Sequence, residues 1–351
     1  TPTTNPTSTT IFKAMIAIKT GNPIIFGFNP SAQESSKRAA EVVLEAAMKA
    51  GAPKDIIQWI EVPSIEATKQ LMNHKGIALV LATGGSGMVK SAYSTGKPAL
   101  GVGPGNVPSY IEKTAHIKRA VNDIIGSKTF DNGMICASEQ VVVIDKEIYK
   151  DVTNEFKAHQ AYFVKKDELQ RLENAIMNEQ KTGIKPDIVG KSAVEIAELA
   201  GIPVLENTKL IIAEISGVGS DYPLSREKLS PVLALVKAQS TKQAFQICED
   251  TLHFGGLGHT AVIHTEDETL QKDFGLRMKA CRVLVNTPSA VGGIGDMYNE
   301  LIPSLTLGCG SYGRNSISHN VSATDLLNIK TIAKRRNNTQ IFKVPAQIYF
   351  E

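Results

Sequence analysis

The chain has 351 residues, of which 42% are hydrophobic and 21% are charged, and its net charge is +3. This length predicts two domains with a core in each, and so small a net charge predicts no nucleic-acid partner. Four cysteines without clustered spacing predict neither a disulfide framework nor a metal site. No secretory leader or bilayer-length apolar run appears, which predicts no membrane partner and a reducing, cytoplasmic location.

The first hundred residues alternate between helical and strand patterns. Gly and Pro mark the boundaries, and Ser64 stands where a helix N-cap is expected. Such alternation predicts an α/β fold in which helices cover both faces of a parallel sheet. The predicted elements are a helix over 11–19, a strand over 24–26, a helix over 33–50, a strand over 56–62, a helix after Ser64 and a strand over 77–81.

A glycine-rich turn follows the strand over 77–81 and begins with Thr83, Gly84 and Gly85. Glycines at the end of a parallel strand let the backbone approach a ligand, and the N-terminus of the following helix favours anionic groups. The same glycines could simply make a tight turn. The pattern is not the dinucleotide fingerprint GxGxxG, and a proline interrupts the later glycine segment 101–105. Alone, it is a weak indication of a dinucleotide site.

Cys136 lies in a stretch of small residues between an amphipathic helix over 117–125 and a strand over 141–144. The residues 131–133, Asp-Asn-Gly, are a turn signal that ends the helix. A buried, inert thiol is the ordinary interpretation of an isolated cysteine. An accessible, constrained loop would instead favour a nucleophile, which needs access and an environment that stabilises thiolate. The local pattern leaves both interpretations open.

The alternation continues after Cys136, and Cys248 and Cys281 fall in apolar segments that predict core positions. Residues 287–314 are rich in Gly, Ser and Pro, and a connection of that length is usually functional. The basic cluster 334–336 is predicted to be a solvated surface segment. The further predicted elements are helices over 146–158, 168–178, 192–200 and 241–252, and strands over 209–215, 231–236, 260–264 and 282–285.

Four segments carry a family resemblance: Thr83-Gly-Gly-Ser-Gly-Met-Val-Lys, Phe130-Asp-Asn-Gly-Met-Ile-Cys-Ala-Ser-Glu-Gln, Glu227-Lys-Leu-Ser-Pro and Pro303-Ser-Leu-Thr-Leu-Gly-Cys-Gly. They resemble the aldehyde dehydrogenase superfamily and, more narrowly, its coenzyme A-acylating branch, including the aldehyde dehydrogenase half of bifunctional aldehyde–alcohol dehydrogenases. The resemblance runs in order along the chain. It implies an aldehyde dehydrogenase-like α/β fold with a Rossmann-type cofactor domain and an α/β catalytic domain.

The resemblance also implies roles for individual residues. Cys136 would attack the aldehyde carbonyl, and its backbone N–H together with the Asn5 side-chain amide would hold the oxyanion. From local sequence alone, Asn5 is an ordinary turn residue. Glu227 would hold the nicotinamide ribose of NAD, although it could equally be a solvated surface acid. Thr83, Gly84 and Gly85 would lie near the phosphates of the dinucleotide.

The branch of the family is indicated by a missing carboxylate. Hydrolytic members place a Glu, which activates water, at a position that matches 101–103, where this chain has Gly-Val-Gly. The resemblance therefore implies that a thioester on Cys136 passes to coenzyme A, giving acetyl-coenzyme A and NADH from acetaldehyde. His259 matches a histidine of the acylating branch and could assist thiol deprotonation with a near-neutral pKa. A purely structural histidine is the alternative.

The predicted domains are a partial NAD-binding domain over 1–106, a catalytic domain over 107–320 and a linker-like tail over 321–351. The family's N-terminal segment is absent, so further residues are expected to precede Thr1. The resemblance implies a homo-oligomer, which could be a filament. NAD is favoured over NADP only through the family. Other acyl-coenzyme A substrates, a hydrolytic dehydrogenase and a non-catalytic assembly module are the alternatives.

Overall fold

The computed structural model describes residues 1–336 and 347–348. It confirms the predicted alternation of helices and strands. The helices are α1 (Pro6–Lys19), α2 (Gln33–Lys49), α3 (Ile65–Asn73), α4 (Ser86–Tyr93), α5 (Ile117–Thr129), α6 (Tyr149–Ala158), α7 (Lys166–Ile176), α8 (Ala193–Leu199), α9 (Thr241–Thr251), α10 (Glu268–Arg277) and α11 (Ser289–Ile294). The strands are β1 (Ile24–Phe26), β2 (Ile57–Trp59), β3 (Val80–Thr83), β4 (Ala99–Val102), β5 (Val107–Ile111), β6 (Glu139–Asp145), β7 (Ala161–Phe163), β8 (Leu210–Glu214), β9 (Val232–Ala238), β10 (Gly258–His264) and β11 (Ala280–Val285).

The larger sheet has seven strands in the order β11-β10-β5-β6-β9-β8-β7, and every pairing in it is parallel. All seven residues of its central strand β6 are buried. Parallel strands covered on both faces bury every side chain, which explains why 141–144 reads as a continuous apolar run. The α/β class predicted from the sequence is confirmed.

Alternate side chains of β6 serve two separate cores. Val143 packs with Phe245 of α9 and Phe274 of α10 on one face of the sheet. Ile144 packs with Phe156 of α6 on the opposite face. A third core lies between β8 and the pair α7 and α8. Strand β6 is therefore packed on both faces of the sheet.

The N-terminal part of the chain forms two separate two-stranded parallel sheets, β1-β2 and β3-β4. Helices α1 and α2 pack on the first through Ala14, Ala40 and Phe26. Ser64 caps α3, as predicted, by accepting a hydrogen bond from the Ala67 backbone N–H. Some apolar side chains in this N-terminal part are exposed to solvent. Ile65 of α3, for example, is 75% exposed.

Five elements have no counterpart in the sequence prediction: β4, β5, β7, α10 and α11. Strand β5 contains Pro108, which lacks the N–H that a ladder needs, and the register shifts between Val107 and Pro108 to accommodate it. Glycines in β4 and in α11 hide both elements from propensity-based prediction. Cys248 is buried as predicted, whereas Cys281 on β11 is only half-buried.

The predicted tail over 321–351 lies partly outside the described residues. The segment 334–336 is exposed, as predicted. Over the described part of the chain, no helix combines the length and apolarity that crossing a bilayer requires.

Candidate active site

A left-handed turn places Cys136 in front of β6. Asp131, Asn132 and Gly133 have φ of 50°, 48° and 72°, which ends α5 where the sequence predicted. A Cβ on Gly133 would lie 2.6 Å from the Ser230 carbonyl oxygen, so this position requires glycine. The turn fixes the direction in which Cys136 enters the sheet.

Four neighbouring strands begin at the candidate site. Gly105 precedes β5, Cys136 precedes β6, Glu227 precedes β9 and His259 is the second residue of β10. The order β10-β5-β6-β9 makes these strands adjacent, and parallel strands all start at one edge. The site therefore lies at the amino edge of the sheet and draws on residues that are far apart in sequence.

Cys136 and His259 form a hydrogen-bonded pair. The Sγ to Nε2 distance is 3.2 Å, and the other ring nitrogen of His259, Nδ1, lies 2.9 Å from the Thr260 hydroxyl oxygen. Burial, with a contribution from the nearby Arg282 cation, lowers the pKa of His259 well below its ordinary value, so the near-neutral pKa predicted from the sequence is wrong. The ring is therefore neutral at neutral pH, and an Nδ1–H donated to Thr260 would leave Nε2 free to accept a proton.

Gly105 brings the backbones of the site into direct contact. A Cβ on Gly105 would lie 2.0 Å from the Cys136 carbonyl oxygen and 3.3 Å from His259 Cγ. The Gly105 N–H donates a hydrogen bond of 3.4 Å to Glu227 Oε1. Any side chain at this position would separate the thiol, the imidazole and the carboxylate.

The Cys136 thiol is protonated at rest. Burial raises its pKa to about 12, and the negative potential of Glu227 and the neighbouring Cys309 add to this effect. Arg282 and the backbone amide of Cys136 itself oppose it. A nucleophilic thiolate at neutral pH would therefore need a base to take the proton as the sulfur attacks.

Glu227 is half-buried beside two buried lysines. Burial raises the pKa of its carboxyl group to about 7, while the Gly105 N–H and the ammonium groups of Lys128 and Lys228 oppose the rise. Burial in turn lowers the pKa of Lys128 to about 7 and that of Lys228 well below its ordinary value. Lys128 Nζ donates to Gln140 Oε1 at 3.0 Å, and Lys228 Nζ donates to three backbone carbonyls. The carboxylate becomes largely ionised only as the pH rises above about 7.

The glycine-rich turn follows β3 of the two-stranded sheet β3-β4 and lies near the same site. Thr83 pairs with Val102 in the register of β3 and β4, and Val102 packs in the apolar cluster that includes Cys136 and Cys309. The Thr83 hydroxyl oxygen is buried and has no hydrogen-bond partner among the described residues. Gly85 caps α4 without a side-chain hydrogen bond, and an added Cβ there would meet nothing within 4 Å. Open backbone and an unpartnered hydroxyl are suited to a bound anion.

Asn5 stands at the N-cap position of α1, but its side chain makes no capping hydrogen bond. Its Oδ1 accepts a hydrogen bond of 3.4 Å from the Thr4 hydroxyl. Its Nδ2 donates to no partner within the part of the chain that is described. The structure shows no hydrogen bond between Asn5 and Cys136, so the role implied for Asn5 stays a prediction.

A cleft of about 260 Å³ opens beside the reacting groups. Gly103, Pro104 and Cys309 line one side of it, and a π-helical turn over Leu252–Gly256 lines the other. Residues 101–103, where a carboxylate would activate water in hydrolytic enzymes, carry no acidic side chain. The cleft is therefore lined by the glycine segment at a position that offers no general base.

Sequence reasoning missed three residues of this site. The sequence places Gly105 only in the glycine segment 101–105, and Thr260 and Arg282 only within predicted strands. Their contributions depend on contacts across the sheet, such as the bond from Arg282 Nε to the Thr260 hydroxyl oxygen at 3.3 Å. The arginine in the predicted strand 282–285 was a local indication of a special role for Arg282. Charged residues are almost never fully buried without a partner, so an arginine in a buried strand implies one.

Residues 1–295 match the aldehyde dehydrogenase family. This chain belongs to that family. The aldehyde-alcohol dehydrogenase of Streptococcus pneumoniae serotype 4 is 56% identical over 358 residues, which is 100% of this chain and 40% of that protein. The chain thus spans about two fifths of the length of the aldehyde-alcohol dehydrogenases that it matches.

Solved structures of aldehyde dehydrogenases share the fold. An acetylating aldehyde dehydrogenase from Geobacillus thermoglucosidasius has a TM-score of 0.90 and 46% identity, over 95% of this chain and 75% of that one. A Rhodopseudomonas palustris propionaldehyde dehydrogenase with bound CoA and an acylated cysteine has a TM-score of 0.83 and 29% identity, over 92% and 71%. The predicted aldehyde dehydrogenase-like fold is confirmed.

Proposed function

We propose that this chain is the catalytic part of a coenzyme A-acylating aldehyde dehydrogenase that converts acetaldehyde, coenzyme A and NAD to acetyl-coenzyme A and NADH, reversibly. The 3.2 Å contact between Cys136 Sγ and His259 Nε2 carries the proposal. It gives a thiol that is protonated at rest a base to receive its proton. The acetylating relative from Geobacillus thermoglucosidasius supports the same reaction class.

The first step makes a carbon–sulfur bond. Cys136 Sγ attacks the aldehyde carbonyl carbon while His259 Nε2 takes the thiol proton, leaving a thiohemiacetal oxyanion. The Cys136 backbone N–H and Asn5 Nδ2 are the proposed donors to that oxyanion. A preorganised donor of this kind contributes about 3 kcal/mol to the transition state. Loss of hydride from the same carbon leaves a thioester on Cys136, and the proton on His259 passes to solvent.

The turn after β3 fits a nicotinamide dinucleotide. The unpartnered Thr83 hydroxyl, the start of α4 without a side-chain cap and the open space at Gly85 fit its phosphates, with Gly84 as the adjoining turn residue. Glu227, ionised above about pH 7, would accept a hydrogen bond from the ribose. A bound dinucleotide supplies the hydride acceptor. Its identity as NAD is part of the proposal.

Coenzyme A would release the acyl group. Its thiol loses a proton to His259 Nε2 and attacks the thioester carbon; Cys136 leaves as thiolate and recovers that proton. Water is a poor nucleophile at neutral pH and needs a base. Residues 101–103 offer no carboxylate for that purpose. The bound CoA and acylated cysteine of the Rhodopseudomonas palustris enzyme support this order of events.

The wider architecture is also proposed from the family. Residues 1–106 would belong to the cofactor domain and 107–320 to the catalytic domain. Homo-oligomeric assembly, including filaments, stays a prediction of the resemblance, and a cytoplasmic location stays a prediction from the sequence.

The test measures NADH formation from acetaldehyde and NAD, with and without coenzyme A. It is run on this chain and on the full-length Streptococcus pneumoniae relative in which this chain replaces the matched segment. We expect sustained turnover only with coenzyme A, with acetyl-coenzyme A as product. Sustained turnover to free acetate without coenzyme A would establish the hydrolytic alternative. Absence of turnover in the hybrid protein, with the fold intact, would favour the assembly module.

A further inference from the structure

A buried cation without a carboxylate partner lies behind the Cys136 site. Arg282, the third residue of β11, is 3% exposed. Its guanidinium donates to the backbone carbonyls of His259, Leu307 and Gly308, at 2.8, 3.3 and 2.9 Å. It also donates to the Thr260 hydroxyl and, at 3.3 Å, to Asn320 Oδ1. Every one of these acceptors is neutral.

No Asp or Glu in the described part of the chain pairs with this guanidinium. A buried charge is costly unless an opposite charge compensates it, and one left unpaired calls for a functional reason. The acidic groups that influence Arg282 are all thiols: Cys309, Cys281 and Cys136. Of these, Cys136 is the one that the proposed reaction makes negative.

We propose that Arg282 is a positioning residue that supplies the missing counter-charge for negative charge on the Cys136 sulfur, as the thiol loses its proton and when it leaves as thiolate. The inference rests on the proposed role of Cys136 as nucleophile. Arg282 does not touch the reacting atoms. It acts through space on the sulfur, and through the Thr260 hydroxyl and the His259 carbonyl on the ring that takes the proton.

The other charged and titratable groups around the sulfur cannot play this part. Glu227 and Cys309 raise the pKa of the Cys136 thiol, and His259 is held neutral. Arg282 and the Cys136 backbone amide lower it. Arg282 is therefore the cation that opposes burial at this sulfur.

The experiment follows alkylation of Cys136 by iodoacetamide between pH 7 and 10, with the modified peptide quantified by mass spectrometry so that the other cysteines are counted separately. Only thiolate reacts, so below the pKa of the thiol the rate rises about tenfold per pH unit. A change of pKa appears as a constant offset between two variants. This readout does not depend on turnover, so it stays informative if the proposed reaction is wrong.

Arg282→Met should slow the alkylation of Cys136 by about tenfold or more at every pH in this range, since one unit of pKa is a tenfold change in thiolate. Arg282→Lys keeps the charge and loses the planar fork, so its rate should stay within about threefold of the wild type. Arg277→Met removes an arginine that is paired with Glu249 at the surface, and it should change nothing.

Wild-type rates in a folded Arg282→Met protein would overturn the proposal. A loss in Arg282→Lys as large as in Arg282→Met would also overturn it, because Arg282 would then be only a hydrogen-bonding scaffold. Should Arg282→Met fail to fold, Arg282→Lys decides alone: a rate within threefold of wild type supports the counter-charge, and a tenfold loss contradicts it.

Discussion

At the amino edge of the seven-stranded sheet, a Cβ added to Gly105 would lie 2.0 Å from the Cys136 carbonyl oxygen. At the turn after β3, a Cβ added to Gly85 would meet nothing within 4 Å. The first region holds protein groups against one another, whereas the second leaves backbone open to a ligand. Glycine serves both, for opposite reasons: close contact within the protein in one case and room for a partner in the other.

The largest effect is expected when the nucleophilic sulfur of Cys136 is removed from the first region. Cys136→Ala should reduce aldehyde oxidation to below about a thousandth of wild type, because no thioester can form without the nucleophile. Binding of NAD, measured by calorimetry, should survive, since the turn after β3 is untouched. Cys248→Ala, which removes a buried thiol in a different core, is the control and should keep its activity. Comparable activity in both variants would remove Cys136 from the mechanism.

The second test removes the base and keeps the nucleophile. His259→Gln should lower kcat about 10²- to 10⁴-fold, the usual contribution of general acid–base catalysis. His159→Gln, at the C-cap of α6 and away from the site, should have no effect. A loss that disappears when activity is measured at high pH would fit a base that is needed only while the thiol is protonated. Full activity of His259→Gln at pH 7 would make the histidine structural.

The third test replaces a glycine by alanine in each of the two regions. Gly105→Ala should cost activity and stability together, because its Cβ displaces the Cys136 backbone. Overpacking of this type usually costs about 1–3 kcal/mol. Gly85→Ala should leave the unfolding free energy within about 0.5 kcal/mol of wild type and raise the KM for NAD. Unfolding by urea and steady-state kinetics measure the two effects, and equal destabilisation by both variants would contradict the contrast.

The fourth test concerns the pH dependence of the Glu227 carboxylate, which lies in the first region beside Gly105. Because burial raises the pKa of Glu227 to about 7, its charge is lost as the pH falls through 7. Turnover should therefore fall below pH 7 in the wild type. In Glu227→Gln it should be lower, by roughly tenfold, and flat over the same range. If the turnover of Glu227→Gln still fell below pH 7 as it does in the wild type, another group would be responsible for that fall.

The smallest effect concerns a buried lysine beneath β3. Lys13 of α1 donates to the Leu81 carbonyl at 3.1 Å, and burial lowers its pKa from 10.5 to about 7. Between these values the unfolded chain binds the proton that the folded chain has released, so stability rises with pH, by at most about 1.4 kcal/mol per pH unit. Lys13→Met should reduce this rise in urea unfolding between pH 7.5 and 9, and the remainder should come from Lys128 and Lys228, whose pKa values burial also lowers. Lys19→Met, at the exposed end of the same helix, should keep it.

The sequence predicted the strand–helix alternation, the turn at 131–133 and the family, because these depend on local patterns and on long motifs. It could not predict β5, since a proline at a register shift breaks the strand pattern. It also could not place Gly105 between Cys136 and His259, or Arg282 behind them. Those contacts join strands through the sheet, and no local pattern records which strands are neighbours.

The separation of the site residues along the chain also bears on how the molecule folds. Cys136 and His259 are 123 residues apart. The strands that present them, β6 and β10, do not pair with each other, and β5 must pair with both to bring them together. Contacts at such separations demand costly loop closure, and parallel sheets built from them form slowly. A refolding chain should therefore regain most of its helical signal before the thiol meets its base, and competence for chemistry should return only with the last cooperative step.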